Sequence, residues 1–361
     1  MSSLFGSLSR PGFGAAASSS TTVAANADPP DLEVANPPTD SISCLSWSPV
    51  ADFLAVGSWD NQVRVYELKG STTEGRAQYT HEAPVLSVCW NKEGNKILSG
   101  GADKAGRMYD VSTGQSSQIA QHDQPISHIK WVDMQNGICA TGSWDKTIKY
   151  WDLRQSQPVA TLQMPDRVYA MDVQGPLLVA GTAERHICVV DLNNPTTIFK
   201  QLQSPLKMQT RCISAFPDQK GYAVGSIEGR VAIQYIEDEK NNFSFKCHRK
   251  DAGPGNNIPK MQSLIWPVNA ISFHQQQGTF STAGADGTIY IWDKDSRTRL
   301  KTFDNRGGPI VATGFNHTGM VFAYAIAYDW HQGHAQNLPT VPNKIMLHAC
   351  KEEEVKKRPK K

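Results

Sequence analysis

The side chains in this sequence best suited to chemistry are cations set close to aromatics. Arg230 follows a turn glycine in Ser226-Ile227-Glu228-Gly229-Arg230. Lys246, His248 and Arg249 cluster in Phe243-Ser244-Phe245-Lys246-Cys247-His248-Arg249-Lys250. Lys294, Arg297, Arg299 and Lys301 crowd one short stretch behind Trp292. Guanidinium and ammonium groups form charge-assisted hydrogen bonds with carboxylates and phosphates, and aromatic faces stack on bases. Such density suits an acidic peptide or a nucleic-acid backbone. It equally suits the solvated rim of a repeat protein, and residue type alone does not choose between them.

Catalytic patterns are missing. There is no GxSxG elbow, no P-loop and no GxGxxG following a strand. His331 and His334 are three apart, with His348 further on, but the intervening segment holds Pro339 and Pro342 and reads as a loop. Zinc would need a third or fourth ligand on a rigid element, so neither a metal nor a cofactor is expected. The seven cysteines, at 44, 89, 139, 188, 212, 247 and 350, are widely spaced and form no CxxC. They read as buried thiols in a reducing compartment.

The elements that must carry these groups show themselves by repetition. A turn of the form small-small-x-acid recurs as Gly57-Ser58-Trp59-Asp60, Gly142-Ser143-Trp144-Asp145, Gly181-Thr182-Ala183-Glu184 and Gly225-Ser226-Ile227-Glu228, with weaker copies ending at Asp103, Asp286 and Asp329. Successive acids lie 43, 42, 39, 44, 58 and 43 residues apart. This is the WD40 period of about 40–45 residues, once interrupted. Short apolar runs precede each turn, and β-branched or aromatic runs follow it, ending in Trp151-Asp152, Trp292-Asp293 or variants such as Tyr66-Glu67.

Seven copies predict an all-β chain, a seven-bladed WD40 propeller over residues 31–350. The last repeat shows only three strands, and Leu32 to Val34 are placed to supply its fourth and close the ring. His81 and His122, each just before an inner strand, are expected to order their blades by hydrogen bonding to the turn acids. Insertions at about 238–267 and 329–342 are long loops on a rigid scaffold, where binding tends to concentrate.

The 361 residues carry 36 Lys and Arg against 34 Asp and Glu, for a net charge of +2. Residues 351–361 contribute six basic and three acidic side chains, so the rest of the chain is close to neutral. An anionic partner must therefore be held by local patches or by this basic tail, which reads as an import signal or an electrostatic arm. Residues 1–30 are rich in Ser, Ala, Gly and Thr and read as a disordered tail, with Phe5-Gly6 and Phe13-Gly14 as its two Phe-Gly pairs. No apolar run approaches a membrane span, and the N-terminus lacks a secretory core, so a soluble intracellular protein with no membrane association is expected.

The repeats, read with Ile119-Ala120-Gln121-His122-Asp123, Thr141-Gly142-Ser143-Trp144-Asp145-Lys146-Thr147, Gly225 to Ile233, Phe245 to Arg249, Trp292-Asp293-Lys294-Asp295, Tyr328-Asp329-Trp330 and Gly333-His334, resemble the Rae/Gle family of mRNA export propellers. The likeness covers about residues 30 to 350. A sister family, the spindle-checkpoint propellers that recruit checkpoint kinases to kinetochores, shares Gly229-Arg230, Phe245 to Arg249 and Val268 to His274. The Phe-Gly pairs, the loop after Trp292 and the Tyr-Asp-Trp insertion favour the export family.

That resemblance implies a non-enzymatic scaffold at the nuclear pore, shuttling between nucleus and cytoplasm. Its implied partner is an FG-repeat nucleoporin carrying an acidic hairpin segment, met by Arg230, Lys246 and Arg249 with Trp59 as an apolar platform. It further implies single-stranded RNA, or mRNA particles, along Phe245, Trp292, Lys294, Arg297, Arg299 and Lys301. Mitotic checkpoint proteins are a further partner class that the sister family suggests.

Overall fold

The computed structural model describes residues 30–133, 137–252, 259, 262–338 and 340–359. The two Phe-Gly pairs, nearly all of the N-terminal tail, and Lys360 and Lys361 lie outside these residues.

Seven four-stranded antiparallel sheets follow one another along the chain. Blade 1 runs through Ile42–Trp47, Phe53–Ser58, Gln62–Lys69 and Thr72–Thr80. Blades 2 to 6 repeat that meander, with inner strands at Val85–Trp90, Ile126–Val132, Val168–Gln174, Thr210–Ala215 and Val268–Phe273. Blade 7 takes Ile310–Phe315, Val321–Ile326 and Lys344–Ala349 from the C-terminal part of the chain, and its outer strand, Leu32–Glu33, from the N-terminal part. Leu32 pairs with Leu347 and Glu33 with Met346. The closure expected from the missing fourth strand is present. The insertion after blade 5 does hold its outer strand, Phe243–Lys246, followed by a two-stranded ribbon of Arg249–Asp251 and Ser263–Ile265.

A blade has two apolar faces and cannot bury either alone. Among the described residues there are seven apolar clusters, one between each neighbouring pair of blades. The cluster between blades 7 and 1 joins Val34, Leu54, Val56, Ala325 and Ile345 across the closure.

Two local devices repeat in every blade. The residue after each turn acid, or its positional equivalent, has positive φ: Asn61, Lys104, Lys146, Arg185, Gly229, Gly287 and Trp330. Left-handed backbone closes the tight turn that returns the second strand into the third. The second device is a β-bulge near the start of each inner strand, where pairing skips one residue. A bulge frees one residue from the ladder and re-aims its side chain.

Histidines tie the turns down as expected. His81 Nδ1 lies 2.9 Å from Asp103 and His122 Nδ1 lies 2.7 Å from Asp145. His248 does the same work in blade 6, 2.8 Å from Asp286 and 3.1 Å from Thr282, which in turn accepts Trp292 Nε1–H at 2.9 Å. His248 is therefore a buried structural residue and not a member of the cationic surface cluster.

Candidate functional site

One end of the ring, hereafter the turn face, carries the seven positive-φ turns. All four residues expected to meet a protein partner sit there. Arg230 opens the third strand of blade 5 and pairs in register with Lys246, the last residue of its outer strand. Lys246 is exposed. The Arg230 side chain is 34% exposed, its Nε 3.9 Å from Glu228. Arg249 begins the ribbon and is less available: Nε and Nη2 both donate to Asp251 Oδ1, at 3.0 and 2.9 Å, and Nη2 also donates to Ser263 Oγ at 2.9 Å.

Trp59 lies in the turn of blade 1 and stacks on Trp330 of blade 7, ring centroids 4.0 Å apart at 25°. Trp330 has φ of 62°, where glycine or asparagine is usual. A bulky residue in that region costs roughly 1–3 kcal/mol, and stacking with Trp59 offsets part of the cost. The two indoles, with Trp144, Tyr169 and Arg211, line a mouth of about 400 Å³ at the turn-face end of the central channel. The seven residues skipped by the bulges (Ser43, Leu86, Ser127, Tyr169, Arg211, Asn269 and Val311) all line this mouth. Trp144 is 40% exposed. Sequence reading found Trp59 but not Trp330, Tyr169 or Arg211. By the turn spacing Tyr328 holds the place of Trp59 and Trp144 before the acid, while Trp330 takes the left-handed place after it, where the repeat has Asn61 and Lys146 and gives no cue for an aromatic. The bulge residues had no signal either, because a bulge interrupts the strand alternation that sequence reading depends on.

A second surface lies between blades 5 and 6 and opens toward the opposite end of the ring. Phe245 packs on Trp292 at 4.6 Å and lies 6.2 Å from Phe243. The Arg297 guanidinium lies over Phe243 at 4.6 Å, and that of Arg299 over Tyr290 at 5.4 Å. Both arginines are exposed. A groove of about 640 Å³ runs along Phe243, Tyr235, Lys294 and Arg297.

The other expected RNA contacts are placed differently. Lys294 is only 4% exposed, pairs with Asp295 at 2.8 Å and Asp218 at 3.6 Å, and sits over the Phe216 ring. Burial works against its charge, but the Asp295 carboxylate outweighs burial and raises its pKa. Lys301 points to Glu354 at 2.7 Å. Trp292 is half-buried, with its indole N–H spent on Thr282. Phe243, read from sequence as an outer-strand residue alternating with Phe245, and Tyr290, neither of them among the expected RNA contacts, are the rings on which the exposed arginines lie. Alternation in Phe243-Ser244-Phe245 put both phenylalanines on one face and was the available signal.

Among the described residues no group of three His, Cys, Asp or Glu could hold a metal ion, and no helix is long and apolar enough to cross a membrane.

A family model for the Anaphase-promoting complex subunit 4 WD40 domain matches residues 45–135, and one for the WD domain, G-beta repeat, matches residues 262–293. The chain is 52% identical over 355 residues to the Poly(A)+ RNA export protein of Schizosaccharomyces pombe, covering 97% of this chain and 99% of that protein. It is 51% identical over 337 residues to mRNA export factor GLE2 of Chaetomium thermophilum, covering 91% and 93%. It is 46% identical over 366 residues to an mRNA export factor of Danio rerio, covering 97% and 98%.

Proposed function

The chain belongs to the mRNA export factor family of WD40 propellers, and from that premise we propose that it is a non-enzymatic scaffold of mRNA export at the nuclear pore. It holds an acidic hairpin segment of an FG-repeat nucleoporin on the turn face and single-stranded RNA in the groove between blades 5 and 6. Passage between nucleus and cytoplasm follows from that role.

The observation that carries the reading is the separation of two cationic surfaces on one rigid ring. Arg230, Lys246 and Arg249 share a face with the Trp59–Trp330 platform, which suits an amphipathic segment with acidic residues along one edge. Arg297 and Arg299 lie over aromatic rings along a groove, which suits phosphates beside unstacked bases.

Calorimetry with a synthetic acidic nucleoporin hairpin tests the turn face. Charge-assisted bonds contribute about 1.5–3 kcal/mol each, so Arg230→Glu with Arg249→Glu should weaken binding by roughly a hundredfold or more. Of the single changes, Arg230→Glu should cost more, because the Arg249 guanidinium is already committed to Asp251 and Ser263. Unchanged affinity in the double variant would remove these residues from the nucleoporin site.

A further inference from the structure

The chain does not leave the propeller at the end of its last strand. Beyond Lys344–Ala349 it forms the single helical turn Glu352–Val355 and continues across blade 6, at the end of the ring away from the turn face. Glu354, 3% exposed, lies 2.9 Å from His348 Nε2 and 2.7 Å from Lys301 Nζ, and accepts the Lys351 backbone N–H at 3.1 Å. Val355 is buried, and its carbonyl accepts Thr279 Oγ1–H at 2.6 Å. Lys357 Nζ donates to Asp295 Oδ2 at 3.1 Å, and the Arg358 backbone N–H to Asp293 Oδ2 at 3.0 Å.

Asp293 and Asp295 flank Lys294 and stand on the turn that carries Arg297. The segment therefore ends at the rim of the groove between blades 5 and 6. The groove's own charge is partly cancelled. Lys294 is neutralised by Asp295 and Asp218, and Lys301 faces Glu354. Lys356, Lys357 and Arg358 are exposed along the docked segment. Lys356 pairs with Glu352 at 2.8 Å, while Lys357 shares the single Asp295 carboxylate with Lys294, so Lys357 and Arg358 together leave the rim with added positive charge. A freely solvated arm has no need of a buried glutamate, and a linear signal read in extended form is poorly served by residues fastened to a blade.

We propose that residues 352–358 are a docked wall of the nucleic-acid groove, positioned by Glu354, and that Lys357 and Arg358 contact the phosphates of a single strand running past Arg297. The proposal rests on the reading of that groove as an RNA site.

The test is fluorescence anisotropy of a labelled oligouridine of roughly 15 nucleotides, titrated over a range of salt with the full chain. Each phosphate neutralised on a single strand adds about 0.7 to the log–log salt slope. Lys357→Ala with Arg358→Ala should make the slope shallower by about 1.4 and weaken binding about tenfold at 0.1 M salt. Glu354→Ala removes an acid and raises the net charge, so a purely electrostatic arm would bind as tightly or tighter. A docked wall predicts weaker binding.

Wild-type slope and affinity in the double variant, or tighter binding by Glu354→Ala, would overturn the docked wall. Wild type failing to bind oligouridine at all would instead overturn the RNA reading. Binding lost in Arg297→Ala with Arg299→Ala but kept in both tail variants would spare that reading and reject only the wall. Retained calorimetric binding of the acidic hairpin shows that Glu354→Ala still folds. Should it not fold, the double variant, confined to exposed side chains, decides.

Discussion

His348 holds both ends of the described chain with one ring. Nδ1 lies 2.7 Å from Asp31 and Nε2 lies 2.9 Å from Glu354. Burial works against a charged imidazole, but the two carboxylates outweigh it and push the pKa from 6.5 up to about 9. Burial likewise works against Glu354 ionising, yet His348 and Lys301 hold it down to about 2. Arg306, 3.7 Å from Asp31, and Tyr324, bonded to the same carboxylate, complete the cluster. Because the folded pKa of His348 is the higher one, its stabilisation is complete below about pH 6.5 and is lost as pH rises through 9. A shift of that size corresponds to roughly 3 kcal/mol. The melting temperature should therefore fall between pH 6.5 and 9.5, and His348→Gln should flatten that fall. An equally steep fall in the variant would show that another group titrates. Of this cluster only His348 drew notice in the sequence, as a distant metal ligand candidate. Its real partners are 317 and 6 residues away, and no local pattern encodes the longer of those two contacts.

At the scale of elements, the period of the acidic turns was enough to count blades, because each turn needs a small residue, an acid and left-handed backbone at fixed offsets. The closure was legible too, since a three-stranded last repeat leaves an apolar face and an open edge. What could not be read were the bulges and the ribbon after blade 5. Both break the two-residue alternation, the former by one skipped residue and the latter by lying across the rim with Leu264 and Ile265 exposed. The tail was legible as charge but not as structure: Glu354 and Val355 sit in a run whose composition suggests only solvent. The closing strand makes a sharp prediction. Val34 is 1% exposed, packs in the cluster between blades 7 and 1, and donates its N–H to Ile345 at 2.9 Å. Val34→Asp places an unpaired carboxylate there and should cost about 3 kcal/mol or more. Thermal melting that moved by less than a degree would show that the ring closes without this strand.

For the whole molecule, the ring places two cationic surfaces where neither obstructs the other. The turn face takes its cations from the ends of strands at Arg230 and Lys246 and from the ribbon at Arg249. The groove takes its own from the far end of blade 6, at Arg297 and Arg299. Each blade packs its apolar faces on its two neighbours, with Arg211 of blade 5 also reaching the Asp329 carbonyl of blade 7 at 3.0 Å across the channel mouth. A ring so packed transmits little strain from a charge changed at an exposed rim. Binding at the two surfaces should therefore separate cleanly. Arg297→Ala with Arg299→Ala should make the oligouridine salt slope shallower by about 1.4 and leave affinity for the acidic hairpin within about twofold of wild type. Arg230→Glu with Arg249→Glu should do the reverse, losing the hairpin and keeping the slope. The salt slope is the better readout for the groove, because it counts phosphates and does not change when a distant charge alters affinity by a constant factor. Loss of both ligands in either variant would mean that one surface serves both, and the assignment of acidic segment and RNA to separate faces would fall.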